Sequence, residues 1–131
     1  MSDYLEKFDK MRVAGKLAAK TLDMLTDNIK PGITTGFIDK LSYEFIRDNG
    51  AYSAPLFYRG FKKSLCTSLN HVVCHGIPSD RVLVEGDAVN VDVTAIIDGH
   101  YGDTSRMFCV GKTPVKVNNL IDTTYESMMR A

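Results

Sequence analysis

Ala88-Val89-Asn90-Val91-Asp92-Val93-Thr94-Ala95-Ile96-Ile97, the dipeptide Asp98-Gly99, and Tyr101-Gly102-Asp103-Thr104-Ser105-Arg106-Met107-Phe108-Cys109-Val110 form the stretch that decides the fold. Val89, Val91 and Val93 alternate with Asn90, Asp92 and Thr94, the period of a strand with one apolar and one polar face. Asp-Gly suits a two-residue hairpin turn, because both positions tolerate a left-handed backbone. A hairpin closing there sets Asp92 opposite Ser105 and Asp103 opposite Thr94. Asp92 and Asp103 are then diagonal neighbours on one face, roughly 7–8 Å apart at the backbone. A one-residue slip in register would separate them.

Two long helices precede this hairpin. Over residues 3–28 the apolar residues Leu5, Phe8, Met11, Ala14, Ala18, Leu22 and Leu25 recur in steps of three and four, which marks one helical face. Ser2 or Asp3 is suited to cap it, and Asn28-Ile29-Lys30-Pro31-Gly32 ends it. Residues 35–48 repeat the pattern with Ile38, Leu41, Phe45 and Ile46, and Asn49-Gly50 closes them. Beyond Gly50 the chain turns aromatic and turn-rich, with Tyr52, Pro55, Phe57, Tyr58 and Phe61. Ser64 to Leu69 reads as a short strand, Val72 to Cys74 as another extended piece, and Leu120 to Met129 as a final helix. The order of elements predicts a single α+β domain over residues 1–131, two helices packed on an antiparallel sheet.

Composition restricts what such a domain does. Among 131 residues, 16 Lys and Arg balance 16 Asp and Glu, so the chain lacks the basic excess that nucleic acid or an anionic membrane surface would need. Hydrophobic residues at 44% and charged residues at 24% are ordinary globular usage. No apolar run approaches the ~20 residues that span a bilayer, and the N-terminus lacks the pattern of a secretory leader. Three cysteines, Cys66, Cys74 and Cys109, form neither a CxxC pair nor an even set. That favours a reduced, cytoplasmic chain over a disulfide scaffold.

The two hairpin aspartates admit two readings. Polar residues on half-buried antiparallel strands ordinarily face water. Aspartate is a poor strand former, however, and the same face carries Met107 and Cys109, which water does not favour. Two carboxylates at this spacing can share cations lying ~3.5–4 Å apart; without a cation one of them is driven to take up a proton. Pattern alone leaves both readings open. His75, in front of Gly76-Ile77-Pro78, is a second candidate, either as a donor to a reacting group or as a histidine that only hydrogen-bonds at a turn. Cys74 beside it points to the opposite side of an extended chain, which disfavours a Cys–His pair. Phosphate-binding glycine loops, serine elbows and helical HExxH sites are absent from the sequence.

Four linked motifs, Lys63-Ser64-Leu65-Cys66-Thr67-Ser68-Leu69-Asn70, Val73-Cys74-His75-Gly76-Ile77-Pro78, Gly86-Asp87-Ala88-Val89-Asn90-Val91-Asp92-Val93 and Gly102-Asp103-Thr104-Ser105-Arg106-Met107-Phe108, resemble the type I methionine aminopeptidases in their short bacterial form. The resemblance implies a pita-bread fold, two pseudo-symmetric halves around a dinuclear metal centre, of which this chain is expected to be the N-terminal half. It implies that Asp92 and Asp103 hold two divalent ions (Mn²⁺, Fe²⁺, Co²⁺ or Zn²⁺) and that His75 bonds the scissile amide. Tyr58, Phe61 and Cys66 match residues that line the pocket for the methionine side chain. The implied substrate is the N-terminal methionine of nascent polypeptides, with the ribosome as a further candidate partner. The family's remaining histidine and two glutamate ligands have no counterpart motif in these 131 residues. The resemblance therefore also carries an alternative, a half-fold that binds a partner without catalysis.

Overall fold

The computed structural model describes residues 2–131; the side chains of Ser2 and Asp3, and with them the expected cap, lie outside the described residues. Helix α1 runs Ser2–Thr26 and α2 runs Thr35–Asp48, followed by strands β1 (Tyr52–Ser53), β2 (Cys66–Leu69), β3 (Ala88–Ile97) and β4 (His100–Cys109), and helix α3 (Val115–Arg130). Strand β3 is the axis of the sheet. One of its edges is shared by β1 and β2, and the other is paired along its whole length with antiparallel β4. The hairpin closes on Asp98-Gly99, both left-handed (φ 49° and 74°), and Asp92 lies opposite Ser105 and Thr94 opposite Asp103 as expected.

The core lies between the valine face of β3 and the two long helices. Val89, Val91, Val93 and Ala95 are fully buried against Leu17, Ala18, Leu22 and Leu25 of α1 and Ile38 and Ile46 of α2. Helix α1 crosses β4 at Gly102, where a Cβ would stand 2.2 Å from the carbonyl carbon of Ala14. Only glycine permits that approach, so the helix seals the sheet there. Arg106 on β4 ties down the far end of α1 through Asp23 at 2.9 Å and the Thr26 hydroxyl at 3.3 Å.

Three expectations need correction. The apolar stripe of α1 is buried only from Ala14 onward, while Leu5, Phe8 and Met11 stay exposed because the first turns overhang the sheet. Val72 to Cys74 is not a strand; the chain turns at Asn70 (φ 52°), and Val73 is 93% exposed. Helix α3 begins at Val115 rather than Leu120, directly after Pro114, whose fixed φ suits a helix entrance. Helix α3 buries none of its residues, so it stands apart from the core that the other two helices build.

Candidate active site

A cleft of about 950 Å³ opens on the polar face of β3. Cys66 on β2, Asp92 on β3 and Ser105 on β4 are consecutive cross-strand partners, so their side chains form one row on that face. Asp103, one step diagonally from Asp92, belongs to the same cleft wall. The six residues expected at the site, Tyr58, Phe61, Cys66, His75, Asp92 and Asp103, all line this one cleft. Asp92 is half-buried in this concavity rather than spread on an open surface.

Local structure explains how each side chain gets there. Residues 75–77 lie alongside β2, with the Gly76 carbonyl accepting from the Thr67 amide at 2.8 Å and the Gly76 amide donating to the Ser68 hydroxyl at 3.1 Å. A Cβ on residue 76 would sit 2.0 Å from the Thr67 carbonyl oxygen, so the glycine is what lets this segment dock. His75 is itself left-handed (φ 56°), a conformation that turns its ring toward the cleft at some backbone cost. Asp39 of α2 fixes the entry to β2 by accepting from the Ser64 amide at 2.7 Å and the Ser64 hydroxyl at 2.6 Å, two residues before Cys66. The lip over residues 57–61 is closed on itself: the Phe57 amide donates to the Phe61 carbonyl and the Phe61 amide to the Tyr58 carbonyl.

The electrostatics are those of an uncompensated acidic floor. The Asp92 carboxyl is raised above the usual aspartate value, first by burial and then by the charge of Asp103, with which it also shares a hydrogen bond; the nearby His75 works in the opposite direction. Two carboxyls facing each other across one cleft floor are a donor set suited to divalent metal. Burial raises the Cys66 thiol, and Asp92 adds to the effect, so Cys66 is a neutral wall rather than a thiolate nucleophile. Among the described residues no group of three or more His, Cys, Asp and Glu side chains is arranged to hold a metal, so Asp92 and Asp103 stand as a pair.

Sequence reasoning left some of the lining unnamed. Tyr101 lies two residues before Asp103 on β4, so strand periodicity already placed it on this face. Arg59 and Ile77 also line the cleft, but they come from irregular segments that have no period to read.

Residues 9–131 match the family model of metallopeptidase family M24. The chain belongs to that family. It is 58% identical over 123 residues to the methionine aminopeptidase of Rickettsia prowazekii (strain Madrid E), a match covering 94% of this chain and 48% of that protein. It is 49% identical over 128 residues to the methionine aminopeptidase of Escherichia coli (strain K12), covering 96% and 48%. The crystal structure of the Rickettsia prowazekii methionine aminopeptidase superposes with a TM-score of 0.94 at 57% identity, covering 95% of this chain and 50% of that chain. The expected pita-bread architecture is thus the fold this M24 chain shares with its solved neighbour. The chain spans about half the length of the curated relatives it matches. Membership of a metallopeptidase family implies a divalent metal cofactor, in accord with the acidic pair on the cleft floor. No helix among the described residues is long and apolar enough to cross a membrane.

Proposed function

We propose that this chain is the N-terminal portion of a metal-dependent aminopeptidase domain that removes the initiator methionine from nascent polypeptides in the cytoplasm. One observation carries the reading: Asp92 and Asp103 meet on the floor of a cleft walled by His75, Cys66, Tyr58 and Phe61. Asp92 and Asp103 would hold two divalent ions, drawn from Mn²⁺, Fe²⁺, Co²⁺ and Zn²⁺, between which carboxylate ligands discriminate weakly. When bound, such ions lower the pKa of water and polarise a carbonyl. His75 faces the same space and would donate to the amide being cleaved. Tyr58 and Phe61 offer ring surfaces to an unbranched thioether side chain, and neutral Cys66 adds a soft wall beside them. The first residue of a polypeptide emerging from the ribosome is the substrate this pocket fits.

Two carboxylates leave most coordination positions of an ion pair to other groups, so this chain by itself cleaves poorly. A non-catalytic binding module is the second reading, favoured by the lack of a three-residue metal cluster among the described residues. Release of methionine from a Met-Ala-Ser peptide, measured with Mn²⁺ or Co²⁺ beside a direct metal titration, separates the two. The proposal expects saturable metal binding that Asp92→Asn weakens, with little turnover. Robust turnover lost in Asp92→Asn would mean that another chain completes the site. Absence of any metal binding would leave the binding module as the better account.

A further inference from the structure

The described residues contain six arginines, and five of them stand against a carboxylate: Arg12 with Asp9, Arg47 with Asp48, Arg81 with Asp87, Arg106 with Asp23, and Arg130 with Glu126. Arg59 is the exception among the described residues, and it lies on the lip of the acidic cleft. Its guanidinium carbon rests 5.3 Å from the centre of the Tyr58 ring, a contact that steadies the side chain without neutralising it. The backbone beneath it is unusual. Phe57 (φ 68°) and Arg59 (φ 47°) are both left-handed, a conformation that disfavours side chains other than those of glycine, asparagine and aspartate. The lip is nevertheless closed by its own backbone hydrogen bonds, which fix the backbone from which the exposed cation projects.

We infer that Arg59 is a specificity-determining residue that reads a carboxylate on the substrate beyond its first residue. The inference rests on the aminopeptidase reading of the cleft. A first residue whose side chain lies against Tyr58 and Phe61 brings the residues that follow it within reach of Arg59, which stands between them in the lip. A free guanidinium there favours an acidic side chain in the following residues and disfavours a basic one. A short peptide's own C-terminal carboxylate offers the same chemistry, and amidated peptides separate the two sources.

The test is a chemical-shift titration of the 131-residue chain, following the amides of Gly60 and Gly76. The ligands are Met-Ala-Glu-Ala-amide, Met-Ala-Gln-Ala-amide and the free acid of the glutamine peptide. The glutamate peptide is expected to bind about fivefold tighter than the glutamine amide, the scale of an exposed ion pair. That ratio should fall toward one in Arg59→Gln, survive in part in Arg59→Lys, and shrink as salt is raised. A gain for the free acid without a gain for glutamate assigns Arg59 to the chain terminus and supports the carboxylate inference through that source. Equal binding of all three peptides overturns the inference and leaves the aminopeptidase reading standing. No shift at either glycine with any peptide overturns that reading, and Arg59's role with it.

Discussion

Asp87 and Asp92 lie within a few residues of each other, yet the fold treats them in opposite ways. Asp87 is 5% exposed at the start of β3. One of its oxygens accepts from the Asn70 amide group at 2.9 Å; the other accepts from the Val84 amide at 3.0 Å and faces Arg81 at 3.4 Å. Burial alone would raise its carboxyl, but these donors outweigh burial and hold it below the ordinary value. Asn70 completes the knot by accepting from the Ala88 amide at 3.0 Å, which pins the end of β2 to the start of β3. Asp92 has no such donors among the described residues, so burial first and the charge of Asp103 second raise its carboxyl instead. The number of hydrogen-bond donors aimed at each group, rather than residue type or depth, separates a structural aspartate from one available to a ligand.

The largest expected effect comes from removing the satisfied member. Asp87→Ala strands the Asn70 side-chain amide and the Val84 N–H together, and should cost about 3 kcal/mol in urea denaturation. A loss below about 1 kcal/mol would show that solvent replaces the knot and would erase the contrast. Next is Asp92→Asn in the presence of cation. Mn²⁺ should raise the melting temperature of the native chain, and the variant should need at least about tenfold more Mn²⁺ for the same rise. An unchanged Mn²⁺ response would remove Asp92 from the metal site.

Acid titration sharpens the comparison on the other side. Because folding depresses the Asp87 carboxyl, the stability it supplies is complete above its unfolded value near 3.8 and is lost as pH falls through the folded value. Chemical denaturation of Asp87→Asn should therefore show a flatter acid limb than the native chain. The smallest effect has the reverse sign. Folding raises the Asp92 carboxyl, so its charge opposes folding at neutral pH and that cost fades as pH falls through the folded value. Without metal, Asp92→Asn should be slightly more stable than the native chain at pH 7, by less than about 1 kcal/mol, with the gain disappearing in acid. A destabilised variant would mean that Asp92 has a structural partner after all.

Much of the site was legible before any coordinates because its residues sit on regular elements. Asp92, Thr94 and Asp103 follow from period two and a two-residue turn, whereas Cys66 was named only through the family resemblance and its place opposite Asp92 comes from the pairing of β2 with β3. His75 was readable as a candidate from the turn that follows it, but its approach to Asp92 depends on the Gly76 contact with β2, which no local pattern encodes. Arg59 was invisible for the same reason, since it sits in a left-handed lip without repeat. The misread elements fit this account. Val72 to Cys74 has the composition of a strand but no partner strand, and the front of α1 keeps its helical stripe with nothing beneath it.

The sequence by itself determined the hairpin, its register and the shared face of Asp92 and Asp103, because strand alternation and turn geometry act over a few residues. Only the tertiary structure decided that this face lines a cleft. Helix α1 covers the valine face by closing onto Gly102, and the segments holding Tyr58, Phe61 and His75 fold over the opposite one. Which of two faces is covered depends on contacts between distant parts of the chain, and alternation along one strand carries no record of them.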